Sequence, residues 1–268
     1  MGDMQIHSRV VRLSGEFSMV NEVDPRFARA AAAGVVGAGT TTADYDAGLR
    51  AHMLSVYNYM MSGVLLTGVV ALGMAYTGAV NALFNPVTGQ ASLLGWLVML
   101  SPLAFVFFLG FRVQKMSLGA VQATFWAFAV VMGMSMSTIF LRYTGASIAT
   151  TFFATSAAFA GLSLYGYTTK RDLSKLGTFL VMGLVGILVA MLLNFFLQSG
   201  TLALVISILG VLIFAGLTAH DTQKIKEMYD YVAGTDMAGK AVIMGALTLY
   251  LDFINLFTFL LNFLGQRD

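Results

Sequence analysis

Between Arg50 and Arg112 the chain carries no Asp, Glu, Lys or Arg. A helix crossing hydrocarbon needs about 20 mostly apolar residues without stranded charge, and this gap is too long for one such span. Asn81, Asn85, Pro86, Gly89 and Gln90 supply turn chemistry in its middle, which predicts helices near Tyr57 to Val80 and Leu93 to Phe111. A third span fits Leu118 to Leu141 and a fourth Ala146 to Thr168. The charge-free stretch Leu176 to His220 divides at Gln198, Ser199 and Gly200, giving spans five and six. The last apolar block, Ala241 to Leu264, holds a single acid, Asp252, and makes the seventh. With 58% hydrophobic and 10% charged residues, against about 45–50% and 25% in soluble domains, the chain cannot cover itself with polar surface. The expected fold is all-α, a polytopic membrane protein with seven transmembrane helices.

Distribution of charge fixes an expected orientation. Arg9, Arg12, Arg26, Arg29, Arg50, Arg112, Lys115, Lys170, Arg171, Lys175, Lys224, Lys226 and Lys240 fall on the N-terminal side of the membrane, and only Arg142 and Arg267 on the other. Basic residues near span ends stay cytoplasmic, so the N-terminus is expected inside and the short tail after Leu264 outside. A formal balance of +2 distributed in this way does not suggest a nucleic-acid partner. Residues 1–50 mix Arg9, Arg12, Glu16, Glu22, Asp24 and Pro25 with the small-residue run Ala30 to Thr42. They read as a mobile cytoplasmic tail preceding a transmembrane domain over 51–268. A cleaved signal peptide fits poorly, because acids precede a short, Ala- and Gly-dominated run.

Cysteine is absent, which removes disulfides, thiolate metal sites and cysteine nucleophiles together. The histidines are His7, His52 and His220, and no His-Glu-x-x-His pair occurs, so zinc hydrolysis is not expected. The chemistry therefore rests on acids. Asp252 lies about halfway along the last span, where an ionised Asp costs roughly 2.5–3.5 kcal/mol on insertion scales. Thr248, Asp252, Asn255 and Asn262 share one helical face at spacings of four, three and seven, and that face should look into the bundle. A protonated Asp gluing helices together is the plainer alternative to a functional acid. Asp221 closes the sixth span at its cytoplasmic end. Spans six and seven are consecutive and antiparallel, so Asp221 can meet the Asp252 face in a wet cavity open to the cytoplasm. Two adjacent carboxylates would share a proton and titrate jointly, and their oxygens suit a hard cation such as calcium.

Leu247-Thr248-Leu249-Tyr250-Leu251-Asp252-Phe253-Ile254-Asn255-Leu256-Phe257 resembles the last-helix signature of the Bax inhibitor-1 family, and Asp221-Thr222-Gln223-Lys224-Ile225 is similar to the element before it. Tyr165-Gly166-Tyr167, Thr169-Lys170-Arg171-Asp172-Leu173 and Asn194-Phe195-Phe196 match weaker family elements. The resemblance, closest to bacterial YccA-like members, covers roughly Tyr57 to Gly265. It implies a seven-helix bundle with a central last helix, in a bacterial inner membrane. It also implies a pH-sensitive calcium leak gated by Asp221 and Asp252, which would be the transient calcium ligands. Family members with this gate often carry an arginine in the second span that latches onto the aspartates, and Arg112 is the nearest match. Asn194, with Thr248 and Asn255, would line or support the path. The implied partners are the lipid bilayer, calcium ions and protons; no resident cofactor and no enzymatic activity are expected.

Rival readings fare differently. Intramembrane aspartyl proteases use Tyr-Asp and Gly-x-Gly-Asp contexts, whereas here the acids follow Leu251 and His220. A rhomboid-like serine protease needs Gly-x-Ser-Gly, but Gly145-Ala146-Ser147-Ile148 lacks the second glycine, and Ser147 and His220 would lie across about 30 Å of hydrocarbon. No Lys after Lys240 is available in the last span for retinal. Met132, Met134 and Met136 alternate and so cannot share one helical face for a soft metal. The serious rival is a non-conducting regulator that docks a membrane protease or another integral protein.

Overall fold

The computed structural model describes residues 42–85 and 88–266. The proposed tail up to residue 41, together with Pro86, Val87, Arg267 and Asp268, lies outside the described residues. Seven helices are long and apolar enough to cross a membrane: α1 Thr42–Tyr76, α2 Leu93–Arg112, α3 Leu118–Met136, α4 Gly145–Thr168, α5 Ser174–Leu197, α6 Gly200–Val232 and α7 Ala238–Leu264. The protein is an all-α polytopic membrane protein. One compact unit comprises Asp46–Asp268. The unit before it, Met1–Tyr45, is described only in its last residues, Thr42–Tyr45, the first turn of α1.

The helix ends follow local chemistry. Ser92, Ser117, Thr144 and Ser199 each accept a hydrogen bond from the backbone N–H three residues on, at 3.1, 3.3, 3.2 and 3.3 Å. These caps satisfy donors that a helix start leaves orphaned in an apolar medium. The polar interruption between the first two spans forms a short 3-10 turn, Ala79–Leu83, closed by an antiparallel bridge between Phe84 and Ala91. Between α3 and α4 the predicted third span gives way to 3-10 geometry over Ser137–Leu141.

Two helices run past the lengths expected of them. α1 begins at Thr42 rather than near Tyr57, so residues 42–50 are helical and continuous with the first span. α6 continues to Val232, so most of the expected long connection between spans six and seven is helix. The link that remains is Ala233 to Met237, turning at Gly234 with φ of +73°. Lys224, Lys226, Glu227 and Asp230 ride on this extension. A charged last third does not end a helix, because straight-chain charged residues are good helix formers.

The last helix is the centre of the bundle. In its most apolar window 67% of α7 is buried, against 39% for α6 and 11% for α5. Large exposed side chains such as Leu65, Leu97, Phe153, Met182 and Phe196 form the surface left for lipid. Tyr250 of α7 is fully buried, and Phe125 and Phe128 of α3 present edge-on contacts to it at 6.3 and 5.2 Å between centroids. Its hydroxyl lies 2.6 Å from Thr67 Oγ1, which donates to the Ala129 carbonyl at 2.9 Å. Thr67 has one hydroxyl proton, so Tyr250 must be the donor in their bond. One polar chain thereby ties α7, α1 and α3.

That order of donation makes the two ends unequal. Tyr250→Phe removes a donor and leaves Thr67 bonded, costing about 1 kcal/mol; Thr67→Val strands a buried O–H and costs about 1–3 kcal/mol. Thermal unfolding in detergent should therefore rank Thr67→Val as the less stable variant.

Candidate functional site

The polar residues singled out in the sequence converge at one end of α6 and the middle of α7. Ile225 lies against Gly245, and Phe259 lies over Gly210. In an antiparallel pair these two contacts set the register. Seven residues back from Ile225 and seven forward from Gly245 bring Thr218 level with Asp252, and the same count from Gly210 and Phe259 brings Leu217 level with it. Asp221 is thus a single turn, about 5 Å, nearer the α6–α7 link. It is in electrostatic range of Asp252. The short link and unbroken α6 bring the two acids to this register despite their separation along the chain.

Their surroundings differ. Asp252 is only 4% exposed, and its Oδ2 has no hydrogen-bond partner among the described residues. Asp221 is 16% exposed and its Oδ1 lies 2.7 Å from Nδ1 of His220. A buried carboxyl oxygen without a donor is unusual, since buried polar atoms are nearly always paired. Around this pair, Thr218 and Thr222 are fully buried and bond to the α6 backbone carbonyls of Phe214 and Thr218 at 2.7 and 2.8 Å. Thr222 Oγ1 is also 2.8 Å from Ser163 Oγ of α4, which is 2.6 Å from the hydroxyl of Tyr57 on α1.

The face of α7 expected to look inward is divided: Asp252 is buried, but Thr248 and Asn255 are only half-buried and Asn262 is exposed, because the deepest side of the helix lies to one side of that face. Met244, Thr248, Leu251, Asn255 and Thr258 make a half-buried stripe, while the residues between them are mostly buried. Thr248, Asn255 and Thr258 satisfy their own donors on backbone carbonyls four residues back, at 3.0, 2.8 and 2.7 Å. Asn262 bonds both the Thr258 carbonyl and the hydroxyl of Tyr143. A polar, partly accessible track therefore runs along the central helix, flanking Asp252 by one turn on either side.

Two residues named from the resemblance are not brought to this site. Arg112 is exposed at the end of α2 and forms no ion pair with Asp221 or Asp252. The helix carrying it packs principally on α3, and its guanidinium is exposed rather than turned into the α6–α7 seam. Asn194 accepts from the Ser199 N–H at 3.0 Å and shapes the α5–α6 turn, where Gln198 has φ of +50°. That turn is about 30 Å along α6 from Asp221, at the opposite end of the span.

Sequence reading missed the role of His220 and Gln223. Adjacent residues on a helix do not normally face each other, so the His220–Asp221 pair had no periodic signal. Gln223 accepts from the Leu173 N–H at 2.8 Å and donates to the Arg171 carbonyl at 2.9 Å. Lys226 donates to the Tyr167 carbonyl at 2.9 Å and sits 5.1 Å above the Tyr167 ring. The two motifs around residues 165–173 and 221–225 are thus one contact. Gly166 allows it: a Cβ there would collide with the Ala219 carbonyl. Gly177 of α5 likewise leaves room for the His220 ring. Beside this contact, Asp172 accepts from the Ser174 N–H at 2.8 Å, and that bond holds its carboxyl below the usual carboxylate range.

Among the described residues no group of three or more His, Asp or Glu is arranged to hold a metal ion. Two carboxylates a turn apart fall short of the six to eight oxygens of a closed calcium site. Fold and site define a seven-helix membrane protein built around a buried intramembrane acid. Known proteins agree: the family described as "Inhibitor of apoptosis-promoting Bax1" matches residues 49–268. Protein RP147 of Rickettsia prowazekii is 49% identical over 226 residues, covering 83% of this chain and 92% of its own. Inner membrane protein YbhL of Escherichia coli is 45% identical over 223 residues, 82% and 94% of the two chains. A Caulobacter vibrioides protein is 44% identical over 226 residues, 82% and 90% of the two chains. The chain belongs to the Bax inhibitor-1 family.

The two glycines at this contact predict different outcomes. Gly166→Ala sets a methyl against backbone and should cost about 1–3 kcal/mol in detergent unfolding. Gly177→Ala meets first the His220 side chain, which can move where backbone cannot, so it should cost less while lengthening the His220–Asp221 contact, visible as a shifted imidazole resonance.

Proposed function

We propose that this protein is a pH-responsive cation leak of the membrane, with calcium as the cargo its oxygen ligands suit, gated by the protons on Asp221 and Asp252. The observation that carries this reading is the carboxyl of Asp252: 4% exposed in the central helix, one oxygen without a donor, a turn deeper than the half-buried Asp221. Intramembrane acids are costly, and such residues mark ion or proton paths. A protonated acid serving only as interhelical glue would find an acceptor for its O–H and a donor for its carbonyl. Two carboxylates this close do not ionise independently, so each proton lost adds charge that a cation can neutralise.

His220 supplies a third place for a proton, directly against Asp221. In this reading it, rather than Arg112, is the counter-group of the site. In this reading the conformation described is the closed one, since the seam leaves Asp252 only 4% exposed. Opening needs only the α6–α7 seam to admit water beside Asp252, after which the track of Thr248 and Asn255 offers successive oxygens. The surplus of basic residues orients the Asp221 end toward the cytoplasm, so cytoplasmic pH is what the site reads. The size of the response is bounded by the difference in proton affinity between closed and open states, about tenfold in population per unit of pKa difference.

Calcium flux from proteoliposomes across about pH 5–8 tests the reading. Asp252→Asn should remove the pH dependence, Asp221→Asn and His220→Gln should displace its midpoint, and Arg112→Gln should leave it unchanged. A wild-type pH profile in both aspartate variants would overturn the gate. Absence of flux from the wild-type protein would favour a non-conducting regulator of a membrane protease, detectable by recovery of the partner in mild detergent.

A further inference from the structure

A second feature lies on the opposite side of the Ser163–Thr222 contact from the aspartates. A cleft of about 860 Å³ separates α1 from α4, with Phe253 of α7 at its floor. Its volume is that of a site that encloses a small organic ligand. It is apolar except for Arg50, Tyr57, Ser156, Ser163 and Tyr167. Leu54, Met61, Leu65 and Leu164 line it and are 52, 56, 69 and 63% exposed, so the cleft opens sideways, onto the surface that faces hydrocarbon in a spanning bundle.

The cleft has a direction. It runs along α1 from Arg50 to Leu65 and along α4 from Tyr167 to Phe152, about 22 Å of helix. That exceeds one leaflet of a hydrocarbon core about 30 Å thick. Its one charged lining residue, Arg50, sits at one end. Arg50 lines the mouth, is exposed, and forms no ion pair among the described residues. Lys226 lies over the ring of Tyr167 beside it. No Asp or Glu lines the cleft, and Asp46, one turn before Arg50, stands outside it. An apolar slot open to the bilayer, with cations only at its interfacial mouth, has the chemistry of one ligand: an acyl chain joined to an anionic headgroup.

We propose that this cleft is a binding site for an anionic phospholipid drawn from the leaflet on the Arg50 side. One acyl chain lies between α1 and α4 over Phe253, and the phosphate meets the Arg50 guanidinium and the Lys226 ammonium. Long basic side chains at span ends lay their stems along apolar surface and keep the charge at the headgroups, and they attract anionic lipid there. Tyr57 and Ser163 form part of the inner wall of the slot, and behind them Ser163 bonds Thr222, the chain neighbour of Asp221. A smaller cleft of about 430 Å³, on α2 and α3 and lined by Phe105, Phe108, Thr124 and Ala127 among others, has no charged residue and serves as the internal comparison.

The test uses the full chain in nanodiscs of phosphatidylglycerol and phosphatidylcholine at equal bulk ratio. A benzoylphenylalanine replaces Ala160, a cleft-lining residue on the exposed side of α4, and photo-adducts are identified by mass spectrometry. Phosphatidylglycerol adducts should exceed phosphatidylcholine adducts about fivefold, the value of one basic side chain against an anionic headgroup, about 1 kcal/mol. Arg50→Gln should return the ratio toward bulk without loss of total lipid adduct. The same probe replacing Ala127 should report the bulk ratio. Equal lipid adducts at position 160, a ratio unmoved by Arg50→Gln, or adducts to residues 1–41 of the same chain in place of lipid would overturn the proposal. Because it reads bound lipid and not flux, the result is independent of whether the protein conducts.

Discussion

A carboxyl group cannot be left in hydrocarbon, and the architecture around Asp252 follows from that constraint. The acid is carried on a helix favourable enough in its other residues to span, and the bundle surrounds that helix so that the acid meets protein rather than lipid. Of the seven spans, the one with an acid in its middle is also the most buried, 67% against 39% or less for the others. Apolar neighbours alone would bury it without compensation. Asp221 is brought to within a turn of it, and one oxygen of Asp252 is left without a partner among the described residues. The site is thereby held by the packing around it.

The packing that fixes it comes from outside the site. Tyr250 clamps α7 to α1 and α3 through Thr67, one face away from Asp252. On the other side Gln223 and Lys226 bind α6 to the end of α4 and its link to α5. These contacts brace α6 and α7 against their other neighbours, while the register that brings Asp221 near Asp252 is set where Ile225 meets Gly245 and Phe259 meets Gly210. Thr222 belongs to both systems: it neighbours Asp221 in the chain and joins Ser163 and Tyr57 at the wall of the lateral cleft. The same small region of α6 therefore borders the α7 seam and lies one hydrogen bond behind the wall of the cleft.

Several elements of this arrangement can be read along the chain. Charge-free blocks mark six spans and a block with a single acid the seventh, because charge in lipid is too costly to be incidental, and polar residues mark the turns. The helical face of Thr248, Asp252 and Asn255 was visible as spacing. Less legible were ends governed by tertiary support. Residues 42–50 and 222–232 are polar enough to read as tail and loop, but they extend helices that are already nucleated, and propagation is cheap where nucleation is not. His220 carried no periodic signal, and Gln223 looked like one more polar residue past a span. Its two bonds go to backbone fifty residues earlier, a partnership that no local pattern encodes.

The linear chain determined that there would be seven membrane spans, that one would carry an acid, and that a second acid would lie at the end of the span before it. Those are consequences of transfer free energy, which each residue brings wherever it sits. Tertiary structure decided which residues share the site: Asp221 and His220 beside Asp252, with Arg112 left at the surface and Asn194 at the far turn. Proximity depends on register and on which helices touch. Both are set by contacts such as Gly166 against Ala219 and Ile225 against Gly245, whose partners lie on different helices.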